Sequence, residues 1–138
     1  MDAFKIIQPP GWKPPKGYAN GVLARGQLLF VAGQIGWDGQ EVFHSDDVAA
    51  QWAQALDNVL AVVTQAGAGP QHIARMTVYV TDKKEYAARR REIGAAWKER
   101  MGAHFPAMAL VEVKGLLEDR AKVEIEATCV LPDPPPAA

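Results

Sequence analysis

Three groups of side chains in this sequence carry reactive or charge-binding chemistry: the alternating carboxylates Glu124 and Glu126, the single thiol Cys129, and the run Arg89, Arg90 and Arg91. A carboxylate near an unsaturated carbon can orient water or move a proton. A thiolate can attack, and a guanidinium holds a carboxylate through two parallel hydrogen bonds. Each group also has a plain structural reading. The glutamates alternate with Val123, Ile125 and Ala127, as the outer residues of a half-buried strand do. Cys129 falls on the apolar side of that alternation, where a free cysteine packs as a small hydrophobe. The arginine run fits the solvated face of a charged helix. His44, His72 and His104 lie far apart beside turns and lack the i,i+4 pairing of a helical zinc motif, so no metal site is expected.

Composition narrows the classes of function. A chain of 138 residues, 49% hydrophobic and 22% charged, is long enough for one core and too short for two ordinary ones. Fifteen Lys plus Arg against sixteen Asp plus Glu give a formal charge of -1. Such a balance provides no broad cationic field for a phosphate backbone, so nucleic acid is not an expected partner. One cysteine excludes an intrachain disulfide and a multi-cysteine zinc site. No uncharged apolar stretch reaches the roughly 18 residues of a spanning helix, so membrane insertion is not expected. The first residues are charged and aromatic rather than signal-like, which sets a cytoplasmic location as the expectation.

The elements that must position these side chains follow from periodicity. QPPGWKPPKG at 8 to 17 is a proline-rich connector. ANGVLARGQLLFVAG at 19 to 33 has two apolar segments around Arg25-Gly26 and predicts a β-hairpin. Ser45 and Asp46 stand where an N-cap is wanted, ahead of a helix that gathers Trp52, Leu56, Val59, Leu60 and Val63 on one face and leaves Gln51, Gln54 and Asp57 mostly elsewhere. Gly67, Gly69 and Pro70 end it. IARMTVYV at 73 to 80 predicts a strand. Lys84 to Met101, with Tyr86, Arg90, Ile93 and Trp97 at helical spacing, predicts a second helix ending at Gly102. AMALVEVK at 107 to 114 and AKVEIEATCV at 121 to 130 predict two closing strands. The order β-β-α-β-α-β-β points to an α+β domain with one mixed sheet and both helices on one face. In the last strand, Lys122, Glu124, Glu126 and Thr128 form a polar second face, to which the neighbouring strand adds Met108 and Leu110; a partner subunit would cover such a mixed face. The domain is expected over 1–131, with 132–138 a proline-rich, frayed tail.

Over Tyr18 to Val130 the chain resembles the RidA/YjgF family. The resemblance rests on KGYANG at 16 to 21, FVAGQIG at 30 to 36, ALDNVLAVVTQAG at 55 to 67, MTVYVTD at 76 to 82, FPAMALVEVKGL at 105 to 116 and KVEIEATCV at 122 to 130, in that order and at fitting spacings. It implies a chorismate mutase-like homotrimer whose central barrel is built from the helix-free sheet faces, with small-molecule pockets in the clefts between subunits. It also implies hydrolysis of reactive imine and enamine acids, such as 2-aminoacrylate, to a 2-keto acid and ammonia, with no cofactor or metal.

Residue by residue, the resemblance assigns Tyr18 as the pocket tyrosine, Gly33 as the pocket-loop glycine and Glu124 as the catalytic glutamate. The family's carboxylate-binding arginine follows FPA, where this chain has Met108; the cysteine often found two positions later is Leu110, and the loop hydroxyl before the glycine is Ala32. A thioether donates no hydrogen bond, so the pocket wall is less polar here and the anion fork is missing from its usual place. Arg90 aligns with an asparagine that some relatives carry near the pocket and is a candidate replacement cation. Trp52 and Trp97 fit helix core faces, whereas Trp12 and Trp37 fall in loops, and Trp37 is the candidate ligand contact. Two readings follow: an imine or enamine hydrolase with a less charged pocket, or a non-catalytic trimer that binds a small hydrophobic or aromatic metabolite in the same clefts. A ribonuclease would need phosphate-binding cations that this charge balance does not provide.

Overall fold

A computed structural model describes residues 4–133. Its elements are β1 (Phe4–Ile7), β2 (Gly21–Ala24), β3 (Gln27–Ile35), α1 (Val48–Gln65), a short 3-10 turn at Pro70–His72, β4 (Ile73–Val80), α2 (Lys83–Ala88), α3 (Arg90–Met101), β5 (Ala107–Glu112) and β6 (Val123–Leu131). The α+β class with a mixed sheet stands. The four main strands run in the order β3-β6-β4-β5. β4 and β5 are parallel, linked by the α2–α3 crossover, while β6 is antiparallel to both β3 and β4.

The expected order gains a strand and a helix. β1, unforeseen in the sequence, pairs with β2 in a separate two-stranded sheet, from Phe4 against Ala24 to Ile7 against Gly21. The hairpin expected over 19–33 is therefore corrected: β2 goes to β1, and β3 goes to β6, with Leu29 opposite Cys129 and Val31 opposite Ala127. The physical reason lies at the turn. Gly26 has φ +145, and a Cβ there would overlap the Leu131 carbonyl, so the chain passes against the end of β6 instead of folding back on β2. In that register β3 buries Val31 and Ile35.

The second helix is two helices. Asp82 caps α2, accepting from the Lys84 and Glu85 amides at 3.0 Å each. Arg89 then leaves helical geometry (φ -112, ψ 18), and its guanidinium Nη1 reaches Asp47 at 3.1 Å. The N-cap of α1 is Asp47, which accepts from the Ala50 amide at 3.1 Å, whereas Ser45 accepts from the Asp47 amide one step earlier. At the other end of α1, Gly67 is left-handed at φ +81.

Trp52, Leu56, Val59 and Val63 form the buried stripe of α1 and meet Met76, Val78, Ile125 and Cys129 from the sheet in one core with Ile93 and Trp97 of α3. Each large apolar side chain so enclosed contributes on the order of 1.5–3 kcal/mol. Gln51, expected mostly away from that face, is 1% exposed. Its amide nitrogen donates to the Ser45 and Arg120 carbonyls at 3.0 Å, and its oxygen accepts from the Lys122 amide at 2.8 Å. The site tolerates a polar group because all three bonds join the core helix to the loops that flank it. Among the described residues no helix is long and apolar enough to cross a membrane. The tail expected at 132–138 lies outside the described residues from 134 onward.

Candidate functional site

Strand β5 is the hub of the site. It lies at the sheet edge, paired on one side only with β4, and the segment before β2 reaches its start: the Ala19 amide donates to the Pro106 carbonyl at 2.9 Å, and Ala19 bridges Ala107 in parallel. Tyr18 is thereby held beside Met108 in a shallow cleft of about 230 Å³ that also includes Arg75 and Asn20. The register Met76 opposite Met108 and Val78 opposite Leu110 settles the faces of β5. Met76 and Val78 are fully buried core residues, so Met108 and Leu110 share the helix side of the sheet. This corrects the expectation that placed them with Glu124 and Glu126. The helix-free face of β5 carries Ala109 and Val111 instead.

On the helix side, Met108 also borders a larger cleft of about 720 Å³ between α3 and the start of β5. Its walls include Trp97 and Phe105, whose rings stack 5.7 Å apart at 4°. Trp97 is fixed by its indole donor to the His104 carbonyl at 3.2 Å, and His104 in turn contacts the Ile73 carbonyl at 2.8 Å. Trp52 reaches the same wall, and its buried Nε1 has no acceptor among the described residues. An unmade bond of that kind costs about 1–3 kcal/mol, which core packing alone does not require.

The rim carries charge of one sign. Arg90 and Lys98 line the cleft, both exposed, and no carboxylate joins them. Arg90 makes no ion pair among the described residues, in contrast to Arg89, Arg100 and Arg120, each bound to an aspartate. Half-buried Tyr86 stands close by. Burial pushes its phenol up while the Arg90 charge pulls the other way, so it remains a neutral donor at physiological pH.

The second group of expected residues gathers elsewhere. A Cβ on Gly33 would stand 2.6 Å from Oε1 of Glu124, so glycine lets the β3 irregularity between Val31 and Gln34 lie against that carboxylate without displacing it. Glu124 faces away from α1 and α3, in register with Tyr79. Beside it on the same face, Glu126 accepts from the Tyr79 hydroxyl at 2.6 Å, which raises the Tyr79 phenol. One chain thus sets Met108 between the cleft of Tyr18, which shares Arg75 with the helix-free face, and the cleft of Arg90 on the helix side, and brings Gly33 to Glu124, but leaves Arg90 and Glu124 on different surfaces of the sheet.

Leu110 is 40% exposed and borders neither cleft at β5. Trp37 also lies apart from both clefts. It packs on Phe43 at 5.7 Å, its carbonyl accepts from Asn58 at 2.6 Å, and the following Asp38 is held below its ordinary range, chiefly by its hydrogen bond to His44. Cys129 is buried, and desolvation pushes its thiol up to about 11, which leaves no thiolate for attack at neutral pH. The residues that sequence reasoning passed over are Gly94, Lys98 and Phe105. The spacing of Arg90, Gly94 and Lys98 at i, i+4 and i+8 was the available signal, since it sets all three along one side of α3.

Comparison with known proteins supplies the remaining observation. The family model described as Endoribonuclease L-PSP matches residues 11–131. A RutC family protein of Synechocystis is 36% identical over 94% of this chain and 98% of its own. The 2-iminobutanoate/2-iminopropanoate deaminase of Escherichia coli is 39% identical over 82% of this chain and 86% of its own. The crystal structure of a Rid-family protein of unknown function from Yersinia pestis superposes with a TM-score of 0.81 at 31% identity, covering 94% of this chain and all of that one.

Proposed function

The chain belongs to the RidA/YjgF family, and on that premise we propose that it hydrolyses an imine or enamine acid to the 2-keto acid and ammonia, with Arg90 binding the substrate carboxylate in place of the arginine missing at position 108. The observation that carries the reading is the shared cleft. Arg90 has no ion pair among the described residues and borders the same space as Met108, so its guanidinium can reach the region that the family pattern assigns to an anion.

The chemistry needs few groups. An enamine first tautomerises to the imine; water then adds to the C=N carbon, the nitrogen takes a proton, and the carbinolamine collapses to C=O as ammonia leaves. Glu124 is the group assigned to move the proton from water to nitrogen. Tyr18 borders the substrate side, and Gly33 leaves room for Glu124 in its loop. Because Glu124 and Arg90 lie on different surfaces of one chain, the complete site takes Gly33 and Glu124 from one copy and Tyr18, Arg90 and Met108 from another, within a homotrimer closed over the helix-free faces. The reaction adds water across a polar double bond and calls for no cofactor.

A specific observation favours a second reading. Met108 and Ala32 remove a cation and a hydroxyl at two pocket positions, which suits a trimer that binds a metabolite without hydrolysing it. Release of ammonia and keto acid from freshly generated 2-aminoacrylate separates the two. The enzyme reading expects acceleration by the natural chain, and at least a tenfold drop in kcat/KM for Arg90→Ala, the scale of one charge-assisted bond. Activity in Met108→Arg alone would establish the binding protein instead.

A further inference from the structure

Within α3 the residue between the two rim cations is glycine, and nothing in the packing asks for it. A Cβ on Gly94 would meet no atom within 4 Å, and its backbone is ordinary helix. Glycine inside a helix costs about 0.8–1 kcal/mol relative to alanine. Here the cost brings open space alongside the cleft, because Gly94 is itself one of its lining residues. A side chain at that position would project into the gap that separates Arg90 from Lys98.

The walls and charge say what fits. The space of about 720 Å³ falls in the range of about 300–1,000 Å³ typical of sites for sizeable organic ligands, well beyond the needs of a three-carbon acid. Trp97 and Phe105 offer a stacked aromatic wall with Ile93 and Met108 beside it, a surface suited to a flat ring. Two cations without a lining carboxylate attract an anion.

We propose that this cleft selects 2-imino and 2-keto acids with a flat aromatic side chain: the carboxylate binds at Arg90, the ring lies over Gly94 against Trp97 and Phe105, and Lys98 adds to the field at the far rim. Helical rise puts Trp97 about 10 Å along the axis from Arg90, a span that an aryl-bearing acid bridges and a methyl-bearing one does not. The imine part of this inference rests on the proposed hydrolysis; the choice of ligand by its ring does not.

Calorimetric titration of the full chain with phenylpyruvate and with pyruvate tests it, since both are stable keto acids that differ by the ring. Phenylpyruvate is expected to bind at least tenfold tighter than pyruvate. Gly94→Leu should abolish that preference while keeping or raising the Tm, because leucine favours the helix and fills the space; Gly94→Ala, the milder change, should weaken phenylpyruvate and raise the Tm. Equal affinity for the two acids, or undiminished phenylpyruvate binding by a folded Gly94→Leu chain, would overturn the proposal. Tight phenylpyruvate binding without hydrolysis of any imine would uphold the ligand class and sink the enzyme reading. Hydrolysis of 2-iminopropanoate that phenylpyruvate fails to inhibit would do the reverse.

Discussion

On the helix side of the four-stranded sheet, Met76, Val78, Ile125 and Cys129 are completely buried; between them in the same strands, Thr77, Tyr79, Glu124 and Glu126 face the other way and keep contact with solvent. The alternation is equally regular on both sides, and what differs is the cover. α1 and α3 close one face with a continuous apolar stripe, while the other shows Phe30 at 72% exposure beside Arg75, Thr77 and Glu126. A face that combines an exposed aromatic ring with a Tyr79–Glu126 hydrogen bond is neither a core nor an ordinary solvated surface. Folding energy resides on the first face; the second is the one proposed to join copies of the chain.

The sharpest way to break this contrast is to place the same charge on each side. Ile125→Asp buries a carboxylate among apolar neighbours without a partner and is expected to cost more than about 4 kcal/mol, leaving little soluble folded protein. Phe30→Asp should preserve the circular dichroism of the fold and lower the mass seen by light scattering, because the change falls on the surface proposed to join subunits. A Phe30→Asp chain that unfolds as Ile125→Asp does would mean that the two faces do not divide the labour.

Raising the pH examines the sealed face more gently. Burial moves the Cys129 thiol from 9.0 to about 11, so the unfolded chain loses this proton first. The stabilising difference is fully present below pH 9 and disappears as pH rises through the window up to 11, by at most about 3 kcal/mol. The margin between the natural chain and Cys129→Ala, taken from urea midpoints, should shrink across that window. A constant margin would show that water already reaches this side of β6.

The smallest effect is expected away from both faces. Arg100 joins α3 to Asp57 of α1 through Nε at 2.6 Å and Nη2 at 3.2 Å, a two-pronged pair at the surface. Arg100→Ala should cost only about 0.5–1 kcal/mol in thermal melts. A larger loss would mean that helix-to-helix ion pairing, and not the apolar stripe alone, holds the cover on the sheet.

Much of this was legible in the residues. The period of α1 named its buried stripe, the β-branched run gave β4 with its observed limits, and the order of motifs gave the family. These signals are local or depend on linear order, and hydrophobic periodicity records which side of an element is covered. Other features depended on distant partners. β2 and β3 carry good hairpin patterns, yet nothing in their own residues says that Phe4–Ile7 will claim one and β6 the other. Gln51 looks like a surface residue until the Arg120 carbonyl and the Lys122 amide meet it across the fold.

The site divides in the same way. The residue types alone say which chemical groups are present: a glutamate on the last strand, a glycine in the β3 loop, a methionine after Phe105-Pro106-Ala107, and a run of arginines on a helix. Which of them meet depends on the folded chain. The register of β4 with β5 turned Met108 toward α3, and the break at Arg89 turned one arginine to Asp47 and left Arg90 at the cleft. Such meetings rest on contacts between residues far apart in the chain, and these form only when the whole core closes.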